Sequence, residues 1–501
     1  MNVGCSSSIH CDCLFLLGKS SFSGGYWVAI FPGDPMEHLL RAIRALMLGL
    51  ALCGPAAAFT APSQPQPPTL RPALLPTRFG DPAFWSTFDQ CLEYLERWGG
   101  RQLPDWLVHS AIFSYPSRRP LYDAAGDPRL DSEGNQACVP VVQSGRVFFP
   151  PHWRLRSGRN LPLVLYLHGT MLEKSHVPSQ YGGHEWMLGA AAALYYGFAV
   201  AMPDQPGMGG DGESYHTFCH AKSLAYSTVD ALPAIAALAG TDPYLVRHGY
   251  GWDGRLYLVG YSEGAYTALA TVKELDTHPD RQLAPFTLLG SACMAGPFDL
   301  SGTFRNRIID PRRPYAHSFY LPYVVRAYAS IYGDALPPAQ VFAPALLENR
   351  EDGNILQWTD GCLDGLEVDS LIGRRLGVPG DAVLLRDILD PGWVARDLED
   401  PGYATSMIHK ILLENDLHSG WRPLRPILFV QSPDDQDVPI QNTRLTMAEL
   451  GEEIREAGGD PASLLAFLPI GAPSDHIDHV SGALVAVPAA FNWIYSGMPM
   501  E

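Results

Sequence analysis

The sequence predicts an α/β chain with a mostly parallel central sheet, helices on both faces and an inserted helical cap. Three observations carry that prediction. From residue 161 onward, short apolar runs alternate with helical patterns, the rhythm of a parallel sheet. The run Arg255 to Val259 leads through Gly260-Tyr261-Ser262-Glu263-Gly264 into an alanine-rich helical pattern over 265–274, so a serine sits on the turn between strand and helix. Residues 301–424 then interrupt the alternation with Tyr-, Leu- and Pro-rich helical patterns, and it resumes at 426.

The elements follow in order. A helix is expected over 82–98, where Phe84, Phe88, Cys91, Leu92 and Leu95 recur at helical spacing. The β-prone runs 108–115 and 139–149 are read as antiparallel edge strands. The continuous apolar run 161–167 suits a strand buried on both faces. Helix 185–195, strand 197–202, helix 221–239, strand 255–259, helix 265–274 and strand 286–290 come next. After the cap follow strand 426–431, helix 441–457, strand 464–468 and a last helix over about 480–495. The core is thus expected in two parts, 81–300 and 425–501, around a cap at 301–424.

The beginning of the chain has a different character. Residues 1–35 show no clear period. From Met36 a basic stretch with Arg41 and Arg44, an apolar run of about 10 residues and a small-residue zone form the layout of a secretory signal. Residues 1–60 are therefore read as an upstream segment plus signal peptide, with translation starting at Met36. Cleavage near 58–61 would leave a secreted or periplasmic chain. The apolar run is shorter than the ~20 residues of a membrane span, and no stable span is expected in the mature chain. Residues 61–80 form a Pro-rich arm. Of the remaining cysteines, Cys91 and Cys138 are candidates for a bridge that sequence does not assign.

Composition narrows the function classes. The 501 residues are 47% hydrophobic and only 18% charged, enough for a sizeable core. A formal charge of −18 repels phosphate backbones and argues against nucleic-acid binding. No C-x-x-C pair marks a zinc or redox motif. Gly207-Met208-Gly209-Gly210 lacks the Lys-Ser/Thr of a phosphate loop, and Asp204 and Asp211 are read as turn residues. His409 and His418 have no ligand spacing. No metal and no cofactor are expected; oligomeric state is not legible.

The chemistry centres on Ser262. A serine hydroxyl is a weak nucleophile that needs a base within hydrogen-bond reach and a carboxylate to orient that base. After the strand that follows the cap come Asp434, Asp435 and Asp437, three competing acids. After the last strand come His476 and His479, two competing bases, each preceded by an aspartate. The N–H of Glu263 and that of Thr170, in His168-Gly169-Thr170 after strand 161–167, are the candidate oxyanion donors. His168 is read as a brace for that loop.

These segments, with Pro203-Asp204-Gln205-Pro206-Gly207-Met208-Gly209 and the histidines His216 and His220, resemble the α/β-hydrolase superfamily of serine esterases and lipases. More narrowly they are similar to bacterial secreted hydrolases related to the secretory lipases. The resemblance covers roughly residues 160–495. It implies the α/β-hydrolase fold and serine-dependent hydrolysis of small-molecule or lipid carboxylic esters without a cofactor. It also implies Asp435, three residues before the Val438 of Val-Pro, as the acid and His479 as the base, with His476 the runner-up. Gln205 stands where tyrosine is usual, and Glu263 places a charge beside the nucleophile. A peptidase, an amidase or an acyltransferase would use the same groups, and a non-catalytic binding module is the reading of a different class. Tyr315, Phe319, Tyr320, Tyr323, Tyr328 and Trp358 are expected either to wall the substrate pocket or to form the cap's own core.

Overall fold

The computed structural model describes residues 14–19, 26–31, 91–92, 95–96 and most of 103–497, the exceptions being 106, 153–154, 156–159, 213, 280, 282 and 472–475. The signal-like segment and the Pro-rich arm lie outside the described residues, as does most of helix 82–98, of which 91–92 and 95–96 are helical. The chain divides into two compact units, Met1–Pro68 and Thr69–Glu501. In the first, β1 (Leu14–Lys19) pairs antiparallel with β2 (Tyr26–Phe31), where the sequence showed no period.

The second unit holds an eight-stranded sheet. Its strands are β3 (His109–Pro120), β4 (Cys138–Phe149), β5 (Asn160–Leu167), β6 (Ala199–Pro203), β7 (Gly251–Tyr261), β8 (Thr287–Met294), β9 (Ile427–Gln431) and β10 (Leu465–Pro469), in the order β10-β9-β8-β7-β5-β6-β4-β3. The strands from β6 to β10 pair in parallel, whereas β4 runs antiparallel to both β6 and β3. The buried run of β5 shows why the sheet needs two covers. Leu161, Leu163, Leu165 and Leu167 pack into one hydrophobic cluster, Val164 and Tyr166 into another, as the two-residue period of a strand dictates.

Helices supply both covers. α1 (Trp186–Tyr196) contributes four consecutive alanines to the Tyr166 side. α2 (Ala221–Asp230), α3 (Leu232–Thr241) and α4 (Glu263–Thr277) pack on the Leu165 side. One helix was expected over 221–239. Pro233, which lacks an N–H, stands in the first turn of the second segment and divides it. The window Ala221–Thr241 is long and apolar enough to cross a membrane, but half of it is buried within the protein.

Between β8 and β9 the longest helices are α5 (Tyr320–Tyr332), α6 (Gly365–Leu376) and α7 (Met407–Glu414). Tyr328, Trp358 and Ile411 of this insertion belong to the same hydrophobic cluster as the sheet's Leu165 side. Asp416 ties the end of this insertion to its beginning, accepting the N–H groups of Leu300 and Ser301 at 2.6 and 3.1 Å. α8 (Ile440–Glu456) and α9 (His479–Gly497) complete the unit. Cys138 stands as a free thiol, so the Cys91–Cys138 bridge is not formed.

The close approach of α4 to the sheet leaves no room for a side chain at either glycine of the turn. A Cβ at Gly260 would overlap the carbonyl of Gly264, and one at Gly264 would overlap the carbonyl of Leu167. Both obstacles are backbone and neither can swing aside. Gly264→Ala is expected to destabilise the protein by roughly 3 kcal/mol, the upper end of the usual cost of overpacking. Chemical denaturation measures this; an unchanged midpoint and slope would contradict it.

Candidate active site

Ser262 lies between the last residue of β7 and the first turn of α4, with φ 56° and ψ −121°. That conformation is strained for a residue with a Cβ, at a cost of order 1–3 kcal/mol. The strain is held in place from both sides. The Ser262 N–H donates to Met294 O at the end of β8 (2.8 Å), and its carbonyl accepts from Ala265 and Tyr266 at 3.0 and 3.1 Å. The outcome is a hydroxyl lifted off the carboxyl ends of the strands, where such sheets bind ligands.

Two loops meet that hydroxyl. His479, the first residue of α9, sets Nε2 2.8 Å from Ser262 Oγ and Nδ1 2.8 Å from Asp435 Oδ2. The other oxygen of Asp435 accepts the N–H groups of Asp437 (3.1 Å) and Val438 (2.9 Å), which fixes the carboxylate's orientation. Ser432 Oγ donates to Ile477 O at 2.6 Å and joins the acid loop to the base loop. Tyr261 donates its hydroxyl to His479 O at 2.5 Å. Asp478 accepts the Ser481 N–H at 2.7 Å and caps α9. All three side chains of the chain Ser262–His479–Asp435 are buried. His476 is exposed, with φ 50°, and is not brought to Ser262.

Burial works against charging His479. The charge and hydrogen bond of Asp435, with Asp437 and Asp478 beyond it, outweigh burial and raise its pKa above the ordinary histidine value. Such an imidazole can take a proton from Ser262 and hold it as a paired cation.

The loop after β5 is braced as expected. His168 Nδ1 lies 2.8 Å from Gly169 O, and Nε2 lies 3.2 Å from Asp204 O. Gln205, in place of tyrosine, donates to His168 O at 2.9 Å. The Gly169 N–H is taken by both oxygens of the partly buried Glu185, at 2.9 and 3.0 Å. Thr170 follows, and its hydroxyl is buried without a hydrogen-bond partner among the described residues. Asp204 accepts the Ser179 N–H at 2.9 Å, and Asp211 accepts the Gly207 N–H at 3.0 Å, which accounts for both as loop braces.

Thr170, Ser262, Glu263 and His479 line one cavity, which holds about 720 Å³ of empty space, its open mouth included. The rest of its wall is almost wholly apolar and comes largely from the insertion, including Leu300, Phe304, Ile308, Leu321 and Val324. Tyr315 and Tyr320 line it too. Tyr328 and Trp358 are instead fully buried in the core, and Tyr323 donates to Met171 O at 3.0 Å. Two partnerships escaped the sequence. Asp437, one of the three competing acids, takes His317 Nδ1 from the insertion at 2.5 Å. Glu263 meets His216 at 2.6 Å. Asp299, Asp416 and His418 bring three ligand atoms within 4.8 Å of one another. Both carboxylates already cap the backbone of residues 300–303, a structural task.

The raised pKa can be read directly. Titration of the His479 ring by NMR is expected to give a midpoint above the ~6.5 of an unperturbed histidine. Asp435→Asn should lower it, because the charge that outweighs burial is gone. A midpoint unmoved by that substitution would contradict the electrostatic account.

No family model matches the sequence, and no curated protein is significantly similar to it. Solved structures are similar in fold. A candidate hydrolase from Legionella pneumophila is 21% identical, with a TM-score of 0.58, over 83% of this chain and 96% of its own. The rice cell wall degrading esterase LipA from Xanthomonas oryzae is 22% identical, with a TM-score of 0.55, over 78% of this chain and 90% of its own. Together with the strand order, the turn at Ser262 and the loops that converge on it, this likeness establishes that the chain has the α/β-hydrolase fold.

Proposed function

We propose that this protein is a serine hydrolase that cleaves carboxylic esters by two-step acyl transfer. Ser262 attacks the ester carbonyl while His479 takes its proton. Asp435 orients the imidazole and stabilises its cation. The N–H groups of Glu263 and Thr170 receive the oxyanion, a contact worth about 3–4 kcal/mol per donor in related chemistry. The alcohol leaves with the proton from His479, and water then deacylates the serine. The observation that carries this reading is the unbroken hydrogen-bonded chain Ser262–His479–Asp435 on the wall of an apolar cavity. The likeness in fold to an esterase supports it. The apolar wall suits an ester with an alkyl or acyl chain.

A fluorophosphonate probe is expected to label the wild-type protein and not Ser262→Ala. Ester turnover should fall at least ~10⁴-fold in Ser262→Ala and in His479→Ala. His476→Ala should keep most of its turnover. Labelling that survives in Ser262→Ala, or loss confined to His476→Ala, would overturn the assignment.

We also propose that the protein is exported, on the strength of the signal-like layout after Met36. N-terminal sequencing of secreted material should begin near residues 58–61. A start before Met36 would contradict this.

A further inference from the structure

Glu263 follows Ser262 in the chain and opens α4, so its backbone N–H is one of the two oxyanion donors proposed above. Its side chain is wholly buried, and so, nearly, is that of His216. Glu263 Oε1 lies 2.6 Å from His216 Nε2, while Oε2 is buried with no hydrogen-bond partner among the described residues. His216 Nδ1 lies 2.6 Å from Pro206 O. A carbonyl oxygen only accepts, so Nδ1 carries a hydrogen. The short contact between Nε2 and Oε1 needs a second one, whether it resides on the imidazole or on the carboxyl. The pair therefore holds one shared proton and is neutral overall in either arrangement.

We propose that the buried Glu263–His216 pair keeps the oxyanion site free of net negative charge, and that loss of its shared proton sets an alkaline limit on turnover. This inference rests on the reading of Ser262 as the nucleophile. Without the proton, a bare carboxylate would stand on the residue that donates to the oxyanion, in a dry site where charges act strongly. His216 is a positioning residue in this scheme, acting only through Glu263.

The surroundings offer little other compensation. The titratable groups facing the pair are Lys174 from the loop after β5, Glu185 before α1, Cys219 before α2, and Tyr320 and Tyr323 of α5. Lys174 is the one cation among them, and its Nζ is spent on the carbonyls of Gly212 and Ser214, both at 2.7 Å. Glu185 is engaged by Tyr166 and the Gly169 N–H. The rings of Phe218 and Tyr323 lie 6.2 and 5.7 Å from that of His216 and help to exclude water. Burial opposes a charged imidazole here, but the charge and hydrogen bond of Glu263 outweigh it and raise the His216 pKa.

The test is the pH dependence of kcat and KM for a chromogenic aryl ester, using the full chain. The wild type should lose kcat, with KM unchanged, on an alkaline limb. Glu263→Gln, whose amide can donate to a neutral His216, should remove that limb. His216→Ala should move it toward acid, because the imidazole, ordinarily the stronger base of the two, no longer holds the shared proton. An alkaline limb identical in wild type and Glu263→Gln would overturn the inference. Should His216→Ala fail to fold, Glu263→Gln alone decides, its fold checked by circular dichroism. Fluorophosphonate labelling of Ser262 separates the two levels. Labelling with an unmoved limb sinks only the role of the pair, whereas a wild type that does not label sinks the nucleophile reading beneath it.

Discussion

The site depends first on how closely α4 approaches the sheet. Gly260 and Gly264 let helix backbone lie against strand backbone, and Ser262 between them adopts a positive φ of 56°. The strain of the turn, of order 1–3 kcal/mol, is stable because the hydrogen bond to Met294 O and the first turn of α4 hold it on opposite sides. Everything the serine meets is placed relative to that turn. The carboxyl ends of the parallel strands bring the acid loop, the base loop and the loop after β5 to one edge of the sheet.

The second constraint is charge in a dry place. Around Ser262 the protein buries His479, Asp435, Asp437, Glu263 and His216, with Glu185 partly buried beside them, and each would be costly alone. The cost is met by pairing and by backbone donors. Asp435 has His479 on one oxygen and two N–H groups on the other. Asp437 has His317, and Glu185 has the Gly169 N–H and the Tyr166 hydroxyl. Because His317 belongs to the insertion, the same pairing that satisfies Asp437 also fastens the insertion to the acid loop. The insertion then supplies most of the apolar wall of the cavity. A single arrangement thus fixes the polar groups and encloses them.

Legibility followed the range of the interactions. The turn at Ser262 is written within five consecutive residues, so its geometry could be anticipated from glycine spacing and its flanking patterns. Asp435 and His479 could be ranked over their neighbours because their positions after strand ends match a known pattern, and they are the two that the fold brings to Ser262. The break between α2 and α3 needed only closer attention to Pro233. By contrast, His216 and Glu263 are 47 residues apart and His317 and Asp437 are 120 apart, and no local pattern announces either pair. The aromatic residues of the insertion divided in the same way. Tyr315 and Tyr320 face the cavity and Tyr328 and Trp358 the core, a choice made by tertiary packing after the helices form.

The most direct measurement of the central claim is rapid-quench mass spectrometry during turnover of p-nitrophenyl butyrate. A burst of one nitrophenolate per active chain and a butyryl adduct on the peptide that contains Ser262 are expected. Turnover without an adduct, or with the adduct on another residue, would contradict it.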